Sequence, residues 1–369
     1  MKLIQTDKET LLKPLQAVTG IVERRHTLPI LSNVLIERKD KSLSFVATDL
    51  EIQITALTQD SQVIKQGFSV TVAAKKLQDI LRALPDKAQV TLEAEENRLQ
   101  VKAGKSRFNL QTLPVEDFPM LPESIEPQTK ITLQQKELKN LLFLVQYAMA
   151  QQDIRYYLNG LLLLLEENYL KVVATDGHRL GFALIALEMP QEKKEVILPR
   201  KAVLELAKQL NDSEEPVTVE ILQNQTRFTF SNIVLVSKVV DGKFPDYNRV
   251  IPIGYQKQFE VDRLLFLQTL QRAAILSNEK FRGVRLILTT GNLRIVCNNS
   301  EQEEAQEELE VQYDGEALDI GFNITYLLDV LNNLTCETVQ CSFGDASSSA
   351  LITVPGNDNF KYVVMPMRI

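Results

Sequence analysis

One spacing occurs three times in this chain and limits what it can become. Leu77, Ile80, Leu81 and Leu84 fall at i, i+3, i+4 and i+7. Val203, Leu206, Ala207 and Leu210 repeat the pattern, and so do Leu327, Val330, Leu331 and Leu334. Each set is one apolar stripe along an amphipathic helix. The stripes start at 77, 203 and 327, which is 126 and then 124 residues apart. A short alternating strand precedes each one: Phe68, Val70 and Val72; Val196 and Leu198; Leu318, Ile320 and Phe322.

An earlier helix in each unit follows suit. Leu11, Leu15, Val18 and Val22 match Leu138, Leu142, Val145 and Met149, with a looser third copy at Leu267, Leu270 and Ala274. Pro14 belongs in the opening turn of the first helix or bends it. Between the two helices of every unit the pattern predicts a hairpin: Val34–Ile36 with Leu43–Ala47, Leu161–Leu165 with Leu170–Ala174, and Leu286–Leu288 with Leu293–Cys297. Phe118-Pro119 closes the first unit and Phe244-Pro245 the second. The heptapeptide Ala174-Thr-Asp-Gly-His-Arg-Leu180 is echoed by Ala47-Thr48-Asp49, 127 positions earlier. A period this long points to a repeated domain. The expectation is an α+β chain of three similar domains, 1–124, 128–252 and 257–369, each with two helices packed on roughly eight antiparallel strands. A unit of about 120 residues can bury its own core.

Composition narrows the class. With 44% hydrophobic and 24% charged residues the chain reads as an ordinary globular protein. No apolar run reaches the roughly 18 residues of a membrane span. The N-terminus lacks a secretory h-region, so a cytoplasmic location with no membrane partner is expected. Three cysteines, Cys297, Cys336 and Cys341, suit a reducing compartment, and Cys336 and Cys341 read as small buried hydrophobes.

A net charge of −7 argues at first against a polyanionic partner, but the charge is segregated. The six helix windows hold twelve basic residues, Lys75 and Lys201 among them, and six acidic ones. They sum to +6 and leave −13 for the rest. Helices sharing one face aimed at a polyanion would produce that division. Two chains closed head to tail would bring twelve helices together. At about 9–10 Å between axes, and with a helix about 10 Å thick, they would line a bore of about 25 Å, wide enough for a DNA duplex. Closure needs unlike ends. Lys102, Lys105, Arg107 and Phe108 in the first unit face an acidic run, Glu301, Glu303, Glu304, Glu307 and Glu308, in the third.

Together with Ala174–Leu180, three stretches carry a specific resemblance: Arg155-Tyr156-Tyr157-Leu158-Asn159-Gly160, Ser277-Asn278-Glu279-Lys280-Phe281-Arg282-Gly283, and Met365-Pro366-Met367-Arg368. Over its whole length the chain resembles the bacterial β sliding clamp family, the processivity subunit of DNA polymerase III. The resemblance implies a head-to-tail dimeric ring around double-stranded DNA, held without regard to sequence. It implies a docking platform for the replicative polymerase, the clamp loader, and other polymerases and repair proteins. It implies no catalytic residue, no metal and no cofactor.

The family's partner pocket, carried over by position, falls on Leu158, Thr175, Gly177, His178, Arg179, Leu180, Pro245, Arg249, Val250, Asn323, Tyr326, Val363, Met365, Pro366, Met367 and Arg368. Arg179, Arg249, Asn323 and Arg368 would fix a peptide's polar groups at the rim. Ser347 and Ser349 stay outside this set, because Asp345–Leu351 departs from the family pattern. The family's DNA contacts fall on Arg25 and Gln152, with Tyr156 and Tyr157 nearby; His26 stands where a proline is common. Its ring interface falls on Phe108, Ile275 and Leu276 with the charges Lys105, Arg107, Glu303 and Glu304.

A second function class is weighed beside this one: a hydrolase or metalloenzyme centred on Asp176 and His178. The chain has two histidines and no accompanying Glu/His helix motif, phosphate loop or nucleophile elbow. A turn that shapes a pocket wall, with Gly177 providing backbone freedom, accounts for the same residues.

Overall fold

A computed structural model describes residues 2–23, 28–39, 42–59, 67–122 and 126–369. Among the described residues six α-helices fall two to a repeat: α1 (Lys8–Thr19), α2 (Ala74–Ala83), α3 (Gln135–Val145), α4 (Arg200–Gln209), α5 (Arg263–Ala274) and α6 (Ile324–Asn333). Each stripe faces the core, with Leu77, Leu81, Val203, Leu206, Leu327 and Leu331 buried. Val22 and Met149 lie beyond the ends of α1 and α3 yet remain buried. Pro14 sits in the interior of α1, past the opening turn, with its ring buried. Local chemistry starts the later helices. The Asp262 carboxylate accepts from the amide of Leu265, and Glu137 reaches back to the amide of Gln134.

By compactness the three repeats group into two units. One unit holds residues 1–138 and 204–239, the other 139–203 and 240–369. The physical cause is that the middle repeat shares one sheet with each neighbour.

In the first unit a twelve-stranded sheet runs, in spatial order, Lys2–Asp7, Gln89–Glu95, Arg98–Ala103, Ser106–Leu113, Phe68–Ala73, Asn33–Lys39, Ser42–Thr48, Ile52–Gln59, Ile233–Lys238, Gln225–Phe230, Pro216–Ile221 and Thr129–Gln134. Ile52–Gln59 of the first repeat joins Ile233–Lys238 of the second, antiparallel, with Ile54 opposite Leu235. In the second unit a six-stranded sheet runs Gly160–Thr175, Arg179–Pro199, Asn357–Val364, Ala350–Val354, Thr338–Phe343 and Lys257–Asp262. Here Arg179–Ala183 joins Phe360–Val364, again antiparallel. A four-stranded sheet, Glu304–Glu310, Asn292–Asn298, Gly283–Thr289 and Leu318–Asn323, completes this unit.

The hairpins expected in the first and third repeats form. In the middle repeat, Leu161–Leu165 and Leu170–Ala174 are the two halves of one long element, Gly160–Thr175. They are divided at Glu167, where the register slips on both sides and φ is +53°.

Some of the helix charge has a structural role. Lys8 is buried and donates to the Leu84 carbonyl at 2.8 Å. Arg263 donates to the carbonyls of Cys336 and Leu331, and Arg200 to that of Met149. Arg272 forks onto Glu307 at 2.7 and 2.9 Å. A count of all twelve basic residues in the helix windows therefore overstates the charge available to a polyanion. Cys297 and Cys341 are buried and Cys336 is half-buried, all as free thiols.

Candidate functional site

The heptapeptide forms a tight turn between two paired strands. The Asp176 carboxylate accepts from the amides of His178 (2.9 Å) and Arg179 (3.0 Å). The Thr175 hydroxyl donates to the Arg179 carbonyl and accepts from the Gly177 amide. Gly177 takes φ +88°, where a Cβ is disfavoured. These bonds commit Asp176 to the turn, while the His178 side chain is exposed.

Beside the turn lies a cavity of about 390 Å³. It is lined by Arg155, Tyr157, Leu158, Thr175, Gly177, His178, Arg179, Leu180, Phe244, Pro245, Tyr247, Arg249, Val250, Ser349, Val363 and Met365. Its floor belongs to the core: Leu180, Phe244, Tyr247 and Val363 sit in one buried cluster with Leu162, Val173 and Ile197. Its rim is cationic. Arg249 is largely exposed and pairs with Asp246 at 3.0 Å. Arg155 pairs with Asp153 at 2.8 Å and holds that carboxyl down to about 2. An apolar slot with polar groups at its mouth accepts aliphatic or aromatic side chains and fixes their backbone or carboxylate at the rim.

Of the sixteen positions read from the sequence, eleven line this cavity. Asn323 and Tyr326 do not: Asn323 caps α6 by accepting from the Thr325 amide, and Tyr326 lies under the Arg179 guanidinium. Pro366 is outside the lining, and Met367 and Arg368 border a different cavity of about 640 Å³ with Phe281, Asn298 and Glu304. Five lining residues were not in the set: Arg155, Tyr157, Phe244, Tyr247 and Ser349. The repeated Phe-Pro closure could have flagged Phe244. Ser349 belongs to the loop that departs from the family pattern, and its carbonyl accepts from the Tyr255 hydroxyl at 2.9 Å.

Among the other sequence positions, Arg25 and His26 lie outside the described residues. Gln152, with φ +57°, and Tyr156 are exposed, and Tyr156 packs edge-on against Tyr157. Lys75 on α2 and Lys201 on α4 are half-exposed. Lys105 and Arg107 are exposed at the start of Ser106–Leu113, with Phe108 half-exposed; Ile275 is 77% exposed and Leu276 half-buried. Glu303 and Glu304 are exposed. Lys102 and Glu307, by contrast, are engaged within their own units, by Glu93 and Arg272.

Three family models match the chain in succession. All are described as DNA polymerase III beta subunit: the N-terminal domain over residues 1–122, the central domain over 132–246 and the C-terminal domain over 248–368. The chain belongs to the DNA polymerase III beta subunit family. Relatives in this sliding-clamp family include the beta sliding clamp of Pseudomonas putida, 48% identical over 98% of both chains. That of Escherichia coli K12 is 45% identical over 98% of this chain and 99% of its own. The crystal structure of the DNA polymerase III subunit beta from Pseudomonas aeruginosa superposes with a TM-score of 0.96 at 46% identity, covering all of both chains. The three repeats are thus three clamp domains of mixed helix and antiparallel sheet.

The tail that follows the cavity wall of this clamp-family chain is seated on glycines. The Met367 amide donates to the Gly321 carbonyl at 2.8 Å, and a Cβ on Gly321 would lie 2.5 Å from the Met367 carbonyl and 2.7 Å from the Ile369 side chain. Gly321→Ala is expected to lift the tail and speed exchange of the Met367 amide about tenfold or more. Hydrogen exchange followed by mass spectrometry measures it.

Proposed function

We propose that this chain is a non-catalytic sliding clamp that closes head to tail with a second copy around duplex DNA and tethers the replicative polymerase. Family membership supports the function, and the pairing rule of the repeats supports the closure. At each internal joint the same strand of one repeat meets the same strand of the next: Ile52–Gln59 with Ile233–Lys238, then Arg179–Ala183 with Phe360–Val364. Stepping this rule once more leaves two strands over. Glu304–Glu310 is the edge of its sheet, and residues 106–111 of Ser106–Leu113 pair on one side only, among the described residues. A second copy would join these edges, Lys105, Arg107 and Phe108 of one chain meeting Glu303, Glu304, Ile275 and Leu276 of the other.

On this reading the clamp domains are 1–124, 128–252 and 257–369. DNA is held by topology, with Arg25, Gln152, Tyr156, Tyr157, Lys75 and Lys201 making sequence-independent contacts. The cavity beside Gly177 takes short peptides bearing a glutamine and paired apolar residues, from the replicative polymerase, the clamp loader, and other polymerases and repair proteins in turn. Met365 and the apolar floor suit such varied ligands. No helix among the described residues is long and apolar enough to cross a membrane, in keeping with a cytoplasmic, nucleoid-associated role.

Loaded on nicked circular duplex, the protein is expected to co-elute with the DNA through gel filtration and to run off after linearisation. Equal retention on both forms would overturn topological binding.

A further inference from the structure

Arg179 lines the cavity, yet its side chain is only 11% exposed and its guanidinium is bonded within the wall. It donates to the Asp176 carboxylate at 3.1 Å, to the Tyr147 carbonyl at 2.6 Å and, by a short bond, to the Asp329 carboxylate on α6. The Tyr326 ring lies 4.5 Å below it. Tyr362, on the strand that leads into the cavity wall, donates to the Tyr326 carbonyl at 3.0 Å. One cation thus binds the turn to α6. Three of its five N–H donors are committed to the wall itself.

The repeat provides an internal control. The first-domain turn has the same hydrogen bonds: Asp49 accepts from the amides of Glu51 (2.9 Å) and Ile52 (2.8 Å), and the Thr48 hydroxyl donates to the Ile52 carbonyl at 2.9 Å. Leu50, at φ +77°, stands where Gly177 stands. Buried Ile52 occupies the place of Arg179. The turn therefore closes without a guanidinium. Of these two turns, the one that lines the cavity beside Gly177 carries the added cation.

We infer that Asp329 is a positioning residue for peptide capture: it acts from outside the cavity, through Arg179, to hold the wall Thr175–Leu180 against α6 before a ligand arrives. This rests on the cavity being the peptide site. Asp329 is absent from the lining, so its effect on affinity must pass through Arg179. A wall already in place spares the ligand the cost of ordering it.

The test is calorimetry on the full-length protein with a synthetic peptide carrying a glutamine and paired apolar residues. Asp329→Ala is expected to weaken binding about tenfold, within the range seen for directly coupled residues. Asp329→Glu should restore most of the affinity. In an Arg179→Met background, Asp329→Ala should add nothing. Unchanged affinity in Asp329→Ala, or the same loss with and without Arg179, would overturn the inference. Asp329→Asn, which keeps the shape and removes the charge, serves if the alanine variant melts early. Met365→Ala is the control: if it too binds normally, the cavity is not the peptide site and both readings fall together. If Met365→Ala loses affinity while Asp329→Ala does not, only the positioning role is refuted.

Discussion

Removal of Met365–Ile369 is expected to weaken partner-peptide binding about a hundredfold or more. Met365 lines the cavity, and its amide donates to the His178 carbonyl at 2.8 Å, so it is both an apolar anchor and a stitch across the turn. An interface anchor of this kind contributes about 2 kcal/mol when it is a hot spot. Losing it together with the stitch exceeds that figure. Val363 and Val364, both buried, stay behind and keep the strand in its sheet. The fold should therefore survive while affinity does not. Isothermal calorimetry with a polymerase C-terminal peptide measures the loss, and circular dichroism checks the fold. A truncated protein that binds like the parent would remove the cavity from consideration.

The second large effect concerns the ends of the chain. Replacing Ile275 and Leu276 with lysine and glutamate is expected to give monomers at micromolar concentration. Ile275 stands 77% exposed just past α5, and α5 is tied to the open strand Glu304–Glu310 by the Arg272–Glu307 fork. Charges placed where Ile275 and Leu276 would pack against Phe108 must give up their hydration, which costs several kcal/mol. Multi-angle light scattering reads the mass directly. A dimer that persists would put the interface elsewhere, whereas a monomer should also fail to stay on closed circular DNA.

The helices and their repeat were legible because a 3.6-residue stripe is a local signal that survives any tertiary context. Where four apolar positions agree, as at Leu327, Val330, Leu331 and Leu334, only one face of the helix can turn inward. The joints were not legible. Ile54 of the first repeat meets Leu235 of the second, and no local pattern announces which strand lies beside which. The charges were read half correctly for the same reason. Lys8 and Arg263 look like surface cations in a helical stripe, yet each turns inward to cap carbonyls that the chain brings near only on folding. At the cavity, the heptapeptide stood out in sequence, while the bond from Arg179 to Asp329, 150 residues away, did not.

The middle repeat lends a strand to each side and keeps no sheet wholly to itself. Cutting the gene at its repeat boundaries would therefore release pieces with raw backbone edges at Ile52–Gln59 or Phe360–Val364, which would seek any partner available. A single repeat expressed alone is expected to assemble with copies of itself.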